Sequence, residues 1–96
     1  MADVVWRPQA LRDLEAIEAY YEDVASDFAP LFVAGAFDTA RGLSDFPHAG
    51  RVVPEIGDES LRAVLYRQYR IISTVLDDRA EVLTVYHTAR RFGAAS

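Results

Sequence analysis

The last third of the chain gathers Arg62, Arg67, Arg70, His87, Arg90 and Arg91, the densest set of groups able to do chemistry. Guanidinium forks of this kind neutralise phosphates or clamp the carboxylates of an acidic segment. With a phosphodiester bound, His87 has the chemistry of a general acid or base, and Arg70 that of a group stabilising developing charge. The same arginines can equally pair with acids elsewhere in the chain, or lay their apolar stems over a sheet. On the residues alone a structural, a partner-binding and a catalytic reading all stand.

Other chemical signatures are missing. The sequence has no glycine-rich phosphate loop, no His-Glu-x-x-His and no nucleophile elbow. It has no cysteine, which removes disulfides, thiolate metal sites and a cysteine nucleophile together. His48 and His87 have no carboxylates at ligand spacing beside them, and Asp77-Asp78 reads as a solvated turn, so no metal and no cofactor is expected.

Charge is unevenly divided. The formal net charge is −5, yet residues 1–48 hold three arginines against nine acids, and from Arg62 onward six arginines face three acids. All ten basic residues are arginine, the side chain for bidentate carboxylate or phosphate contacts rather than for general-base work.

These groups must be positioned by one small domain, 1–96, because cores of 96 residues do not split. The sequence is 51% hydrophobic, as expected of a globular chain. No apolar run approaches the ~20 residues of a membrane span, and residues 1–20 carry four acids, unlike a signal peptide. A cytoplasmic location, with no membrane partner, is the default expectation. Residues 2–6 are β-prone and stop before Pro8, which suits the first turn of a helix. Leu11, Leu14, Ile17, Tyr21 and Val24 then form a helical stripe, with Asp13, Glu15, Glu18, Glu22 and Asp23 as a charged outer face.

Ser26 and Asp27 are candidate caps for a second helix, with Pro30 in its first turn. Phe32, Ala36, Ala40 and Leu43 are its buried stripe, Phe28 and Phe46 lie near its ends, and Gly35 sits inside it. Pro47-His48-Ala49-Gly50 ends that helix. Three strands follow, Leu61 to Tyr66, Tyr69 to Leu76 and Glu81 to His87, the middle one apolar on both faces as a central strand is. The expected class is α+β in the order β-α-α-β-β-β, a helical hairpin packed on a small, mainly antiparallel sheet that the first strand joins.

Four fragments in order carry a resemblance. Trp6-x-Pro8-x-Ala10-x-x-Asp13-Leu14-x-x-Ile17-x-x-Tyr20 is similar to the opening of the ParE/RelE toxins of type II toxin–antitoxin pairs. So are Phe46-Pro47-x-x-Gly50-Arg51-x-x-Pro54-Glu55, Leu61-Arg62 with Tyr69-Arg70-Ile71-Ile72, and Val82-Leu83-x-Val85-x-His87-x-x-Arg90. The resemblance implies a toxin silenced by a cognate antitoxin, a small DNA-binding protein whose C-terminal segment wraps the helices and sheet. Arg62, Arg70, Tyr86, His87 and Arg90 are the implied partner-binding residues.

ParE-like members of that superfamily poison DNA gyrase, and RelE-like members cleave messenger RNA on the ribosome. The chain lacks the lysines and the C-terminal tyrosine usual in the nucleases, ending in Phe92-Gly93-Ala94-Ala95-Ser96, and so resembles the ParE branch more closely. A gyrase inhibitor that is not an enzyme is the expectation. The alternatives are a ribosome-dependent endoribonuclease using Arg62, Arg70, His87 and Arg90, or an inactive homologue. Two positions depart from the family pattern: Arg7 where a capping Ser or Thr is common, and Ser73 where a tyrosine is usual.

Overall fold

Pro8 supplies the fixed φ that opens the first helix, and the chain before it is extended as anticipated. The computed structural model describes residues 2–54 and 56–89. Strand β1 (Asp3–Trp6) leads into helix α1 (Pro8–Val24), then α2 (Ala29–Arg41), which tightens into a 3-10 turn at Gly42–Ser44. The sheet strands follow as β2 (Arg51–Val52), β3 (Arg62–Tyr66), β4 (Tyr69–Leu76) and β5 (Arg79–His87). Strand order is β1-β5-β4-β3-β2, with β4 inside the sheet and β1 and β2 at its edges. Every pairing is antiparallel except β1 with β5, which is parallel.

One face of the sheet takes both helices. Ala10 and Leu14 of α1 and Phe32, Ala36 and Ala40 of α2 close over Tyr69, Ile71, Ala80, Val82 and Val85. Phe32 is the centre of this core, its ring 5.1 Å from each of Tyr21, Tyr66 and Tyr69. A side chain this completely enclosed contributes about 3–5 kcal/mol against truncation to alanine. The opposite face carries a smaller cluster, Val53, Ile72 and Tyr86, with Ile56, Leu61, Ala63 and Leu83 against it.

Several expectations need correction. The second helix is not capped by Ser26 or Asp27: its cap falls one to two residues later, at Phe28, with no side-chain bond there. Phe28 is held instead by ring contacts to Tyr21 at 5.0 Å and Phe32 at 6.0 Å, so packing rather than a polar cap sets the start. Phe46 is 70% exposed and takes no part in the core, and Val24 at the end of α1 is 59% exposed. Strand β2 is additional to the expected order; two residues are too few for any alternation to show. It follows Gly50, whose φ of 101° is closed to other side chains and whose Cβ would stand 2.5 Å from the Ala63 carbonyl.

Asp13 also departs from the charged outer face assigned to it. Its carboxylate accepts from the Thr84 hydroxyl and, at 3.1 Å, from the Val85 N–H. These bonds fasten α1 to β5 beside the register shift that interrupts the β4–β5 ladder at Ile72/Ser73.

Candidate functional site

Side chains alternate across a strand, so register decides which of the basic residues share a surface. Arg70 faces Tyr86 on β5 and Leu65 on β3. Its Nη1 donates to the Tyr86 hydroxyl at 3.3 Å, and both residues belong to the sheet face that the helices leave open. Arg62 pairs with Ser73, and His87 pairs with Tyr69, both positions on the helix-covered side. The five site residues expected to converge are therefore divided. Arg70 and Tyr86 form one unit, Arg62 and His87 lie on the other face, and Arg90 falls outside the described residues.

Each separated residue has its own local setting. The Arg62 Nε donates to the Glu59 carbonyl at 3.3 Å. The His87 ring meets Tyr69 edge-on at 5.3 Å, and its Nδ1 accepts from the Ala89 N–H at 3.0 Å. His87 lines a small cavity of about 170 Å³ with Asp13, Ala16, Ile17, Tyr69, Val85 and Tyr86. Burial, with the Tyr21 hydroxyl alongside, pushes the Tyr69 phenol up to about 12, so it is a neutral packing group at ordinary pH. Arg67, in the β3–β4 turn at φ 55°, stacks its guanidinium 4.7 Å above the Phe28 ring.

The open face holds a groove of about 330 Å³ lined by Arg51, Val52, Val53, Pro54, Ala63, Leu65 and Arg70. Its apolar residues include Leu65, 66% exposed, and Val52, 38% exposed. Two arginines border this apolar hollow beside the two-residue edge strand β2, so guanidinium groups and exposed apolar area lie side by side on the open face. Arg51 stood in the Gly50-Arg51-x-x-Pro54 fragment, but nothing in the sequence joined it to Arg70, because β2 was not legible.

A further charged constellation lies toward β1. The Glu81 side chain is 3% exposed and receives Arg7 Nη1 at 2.8 Å on one oxygen and Arg79 Nε at 2.7 Å on the other. These bonds, from Arg7 first and then Arg79, hold its carboxyl below the usual glutamate range. Arg7 thus spends its side chain on Glu81, consistent with the absence of a side-chain cap on α1. Among the described residues no group of three or more His, Cys, Asp or Glu is placed to hold a metal ion. No described helix is long and apolar enough to cross a membrane.

Comparison with known proteins bears on this arrangement. Curated proteins give no match. Among solved structures, a chain of the chromosomal ParDE toxin–antitoxin system from P. aeruginosa superposes with a TM-score of 0.75 at 22% identity, over 91% of this chain and 96% of that one. That likeness shows the fold: two helices on a five-stranded mixed sheet. The sequence model described as "ParE toxin of type II toxin-antitoxin system, parDE" matches residues 4–92, nearly the whole length. The chain belongs to the ParE toxin family.

Proposed function

We propose that this protein is the toxin of a type II pair, neutralised by a cognate antitoxin and acting in the cytoplasm on DNA gyrase. The observation that carries the first half is the groove on the open sheet face, where Arg51 and Arg70 flank Val52 and Leu65. An antitoxin segment laid along β2 would place an apolar side chain on Leu65 and a carboxylate against the guanidiniums, while its remainder covers exposed apolar surface on the helices. The gyrase target rests on family membership. The division of Arg70 and His87 between opposite faces weighs against an RNA-cleaving pair, since acid–base catalysis needs both groups within reach of one phosphate.

Induction without the antitoxin should arrest growth, with inhibition of supercoiling by purified gyrase and accumulation of gyrase-linked DNA breaks. Co-expression with the neighbouring small gene should restore growth and yield a stoichiometric complex. Intact gyrase activity together with transcript cleavage that Arg70→Ala abolishes would replace this reading with the nuclease one.

A further inference from the structure

Tyr86 meets Arg70 because β5 carries one residue more than its partner strand. Val82 pairs with Ser73 and Thr84 with Ile72, so Leu83 has no partner on β4. Val82 and Val85 both lie in the core beneath the helices, three residues apart, where strict alternation would send them to opposite faces. The extra residue restores the phase, as a β-bulge does. It delivers Tyr86 to the open face, its hydroxyl 3.3 Å from Arg70 Nη1. Closing the ladder by one residue would instead pair Arg70 with Val85 and Tyr69 with Tyr86, and turn Tyr86 under the helices.

The outer edge of β5 loses its strand partner at the same place. β1 covers it only as far as Val82, which pairs with Trp6 and accepts from the Arg7 N–H at 2.9 Å. Beyond Val82 the acceptor is a side chain of α1. Asp13 Oδ2 takes the Thr84 hydroxyl and the Val85 N–H, the latter at 3.1 Å. Asp13 is itself fixed, since Oδ1 accepts from Gln9 Nε2 at 2.7 Å and the neighbouring Leu14 is buried. Backbone groups of a strand point outward at every second residue, so counting from Val82 an unbulged strand would aim the Val85 N–H at β4. The backbone bond to Asp13 therefore exists only in the bulged register.

We propose that Asp13 is the positioning residue of the open-face site: it holds the bulge at Leu83, and the bulge fixes the face on which Tyr86 emerges beside Arg70. The consequence for binding rests on the groove being the antitoxin surface; the consequence for register does not.

NMR of the purified protein reads the register. The cross-strand contacts Arg70–Tyr86 and Ile71–Val85 should be lost in Asp13→Ala, with Arg70–Val85 and Tyr69–Tyr86 contacts in their place and faster exchange of the Val85 amide. Asp13→Asn keeps a carbonyl oxygen for that amide and should retain the native pattern. Ala36→Gly, a change in the buried face of α2, should retain it as well. Deleting Leu83 from the Asp13→Ala chain removes the residue that needs holding. It should return Tyr86 to Arg70 even if Asp13→Ala alone does not fold, whereas a plain loss of stability would not be repaired by removing a packed leucine. Native contacts in Asp13→Ala, or no recovery on deleting Leu83, would overturn the proposal. On binding, Asp13→Ala should weaken the antitoxin complex roughly tenfold and the deletion should restore it. A shifted register with unchanged antitoxin affinity would keep the positioning role and remove the groove as the antitoxin surface.

Discussion

Glu81 has exchanged water for two guanidiniums, and that exchange makes folding depend on pH. Its carboxyl titrates below the ordinary glutamate value of about 4.3 because Arg7, and then Arg79, hydrogen-bond its charged form. A depressed folded-state value means the stabilisation is complete above the unfolded value and fades as pH falls through the folded one. Glu81→Gln should therefore lower the urea midpoint at pH 7 and flatten its decline below pH ~4.3; an unchanged acid slope would show that the pair does not contribute. Ser73 makes the converse case. Its hydroxyl is wholly buried with no hydrogen-bond partner among the described residues, at the position where the resemblance led to the expectation of a tyrosine. An unpaired buried hydroxyl costs about 1–3 kcal/mol, so Ser73→Ala should raise stability by about 1 kcal/mol in denaturant titrations. The departure was visible in the sequence, but its consequence was not, because burial at one position depends on what the other strands and helices bring.

At the scale of elements, Gly35 shows how a helix is fitted to a sheet. Glycine costs about 1 kcal/mol against alanine in a helix interior, yet a Cβ here would meet the Tyr66 hydroxyl at 2.1 Å. That hydroxyl donates to the Phe32 carbonyl at 3.0 Å, so it cannot swing aside without breaking the bond between β3 and α2. Gly35→Ala should lose about 1–2 kcal/mol through overpacking and the lost bond, despite its better propensity. In a Tyr66→Ala background the same change should become stabilising, and thermal unfolding of the four proteins in that cycle reads the coupling directly. The close approach is to strand β3, which a glycine inside a helical stripe does not reveal in the sequence. The helical stripes were legible because a 3.6-residue period repeats over four turns. Strand faces were much less so, since a one-residue slip in pairing moves every side chain to the other surface. That is why Arg70 and Tyr86 were found together, whereas Arg62 and His87 were placed with them and are not.

Across the whole molecule the charge division becomes a division of surfaces. The acids of α1 and α2 lie mostly on the outer helical side, while Arg51 and Arg70 flank an apolar groove on the far face of the sheet. On the proposed reading, a protein of net charge −5 repels an acidic antitoxin segment at long range, and the attraction comes from this face at short range. Arg51 is the clean residue to test, because Arg70 also supports Tyr86 in the second core. Arg51→Glu places a like charge beneath the incoming carboxylate and should weaken the antitoxin complex at least tenfold, about 1.4 kcal/mol, mainly through faster dissociation. Arg41→Glu makes the same change in net charge on α2, where Arg41 pairs with Asp38 in the open, and should leave affinity nearly unaltered. Surface plasmon resonance at two salt concentrations separates these cases. A local clamp loses affinity only in Arg51→Glu, whereas equal losses in both variants, growing as salt is lowered, would mean the antitoxin responds to overall charge and not to the groove.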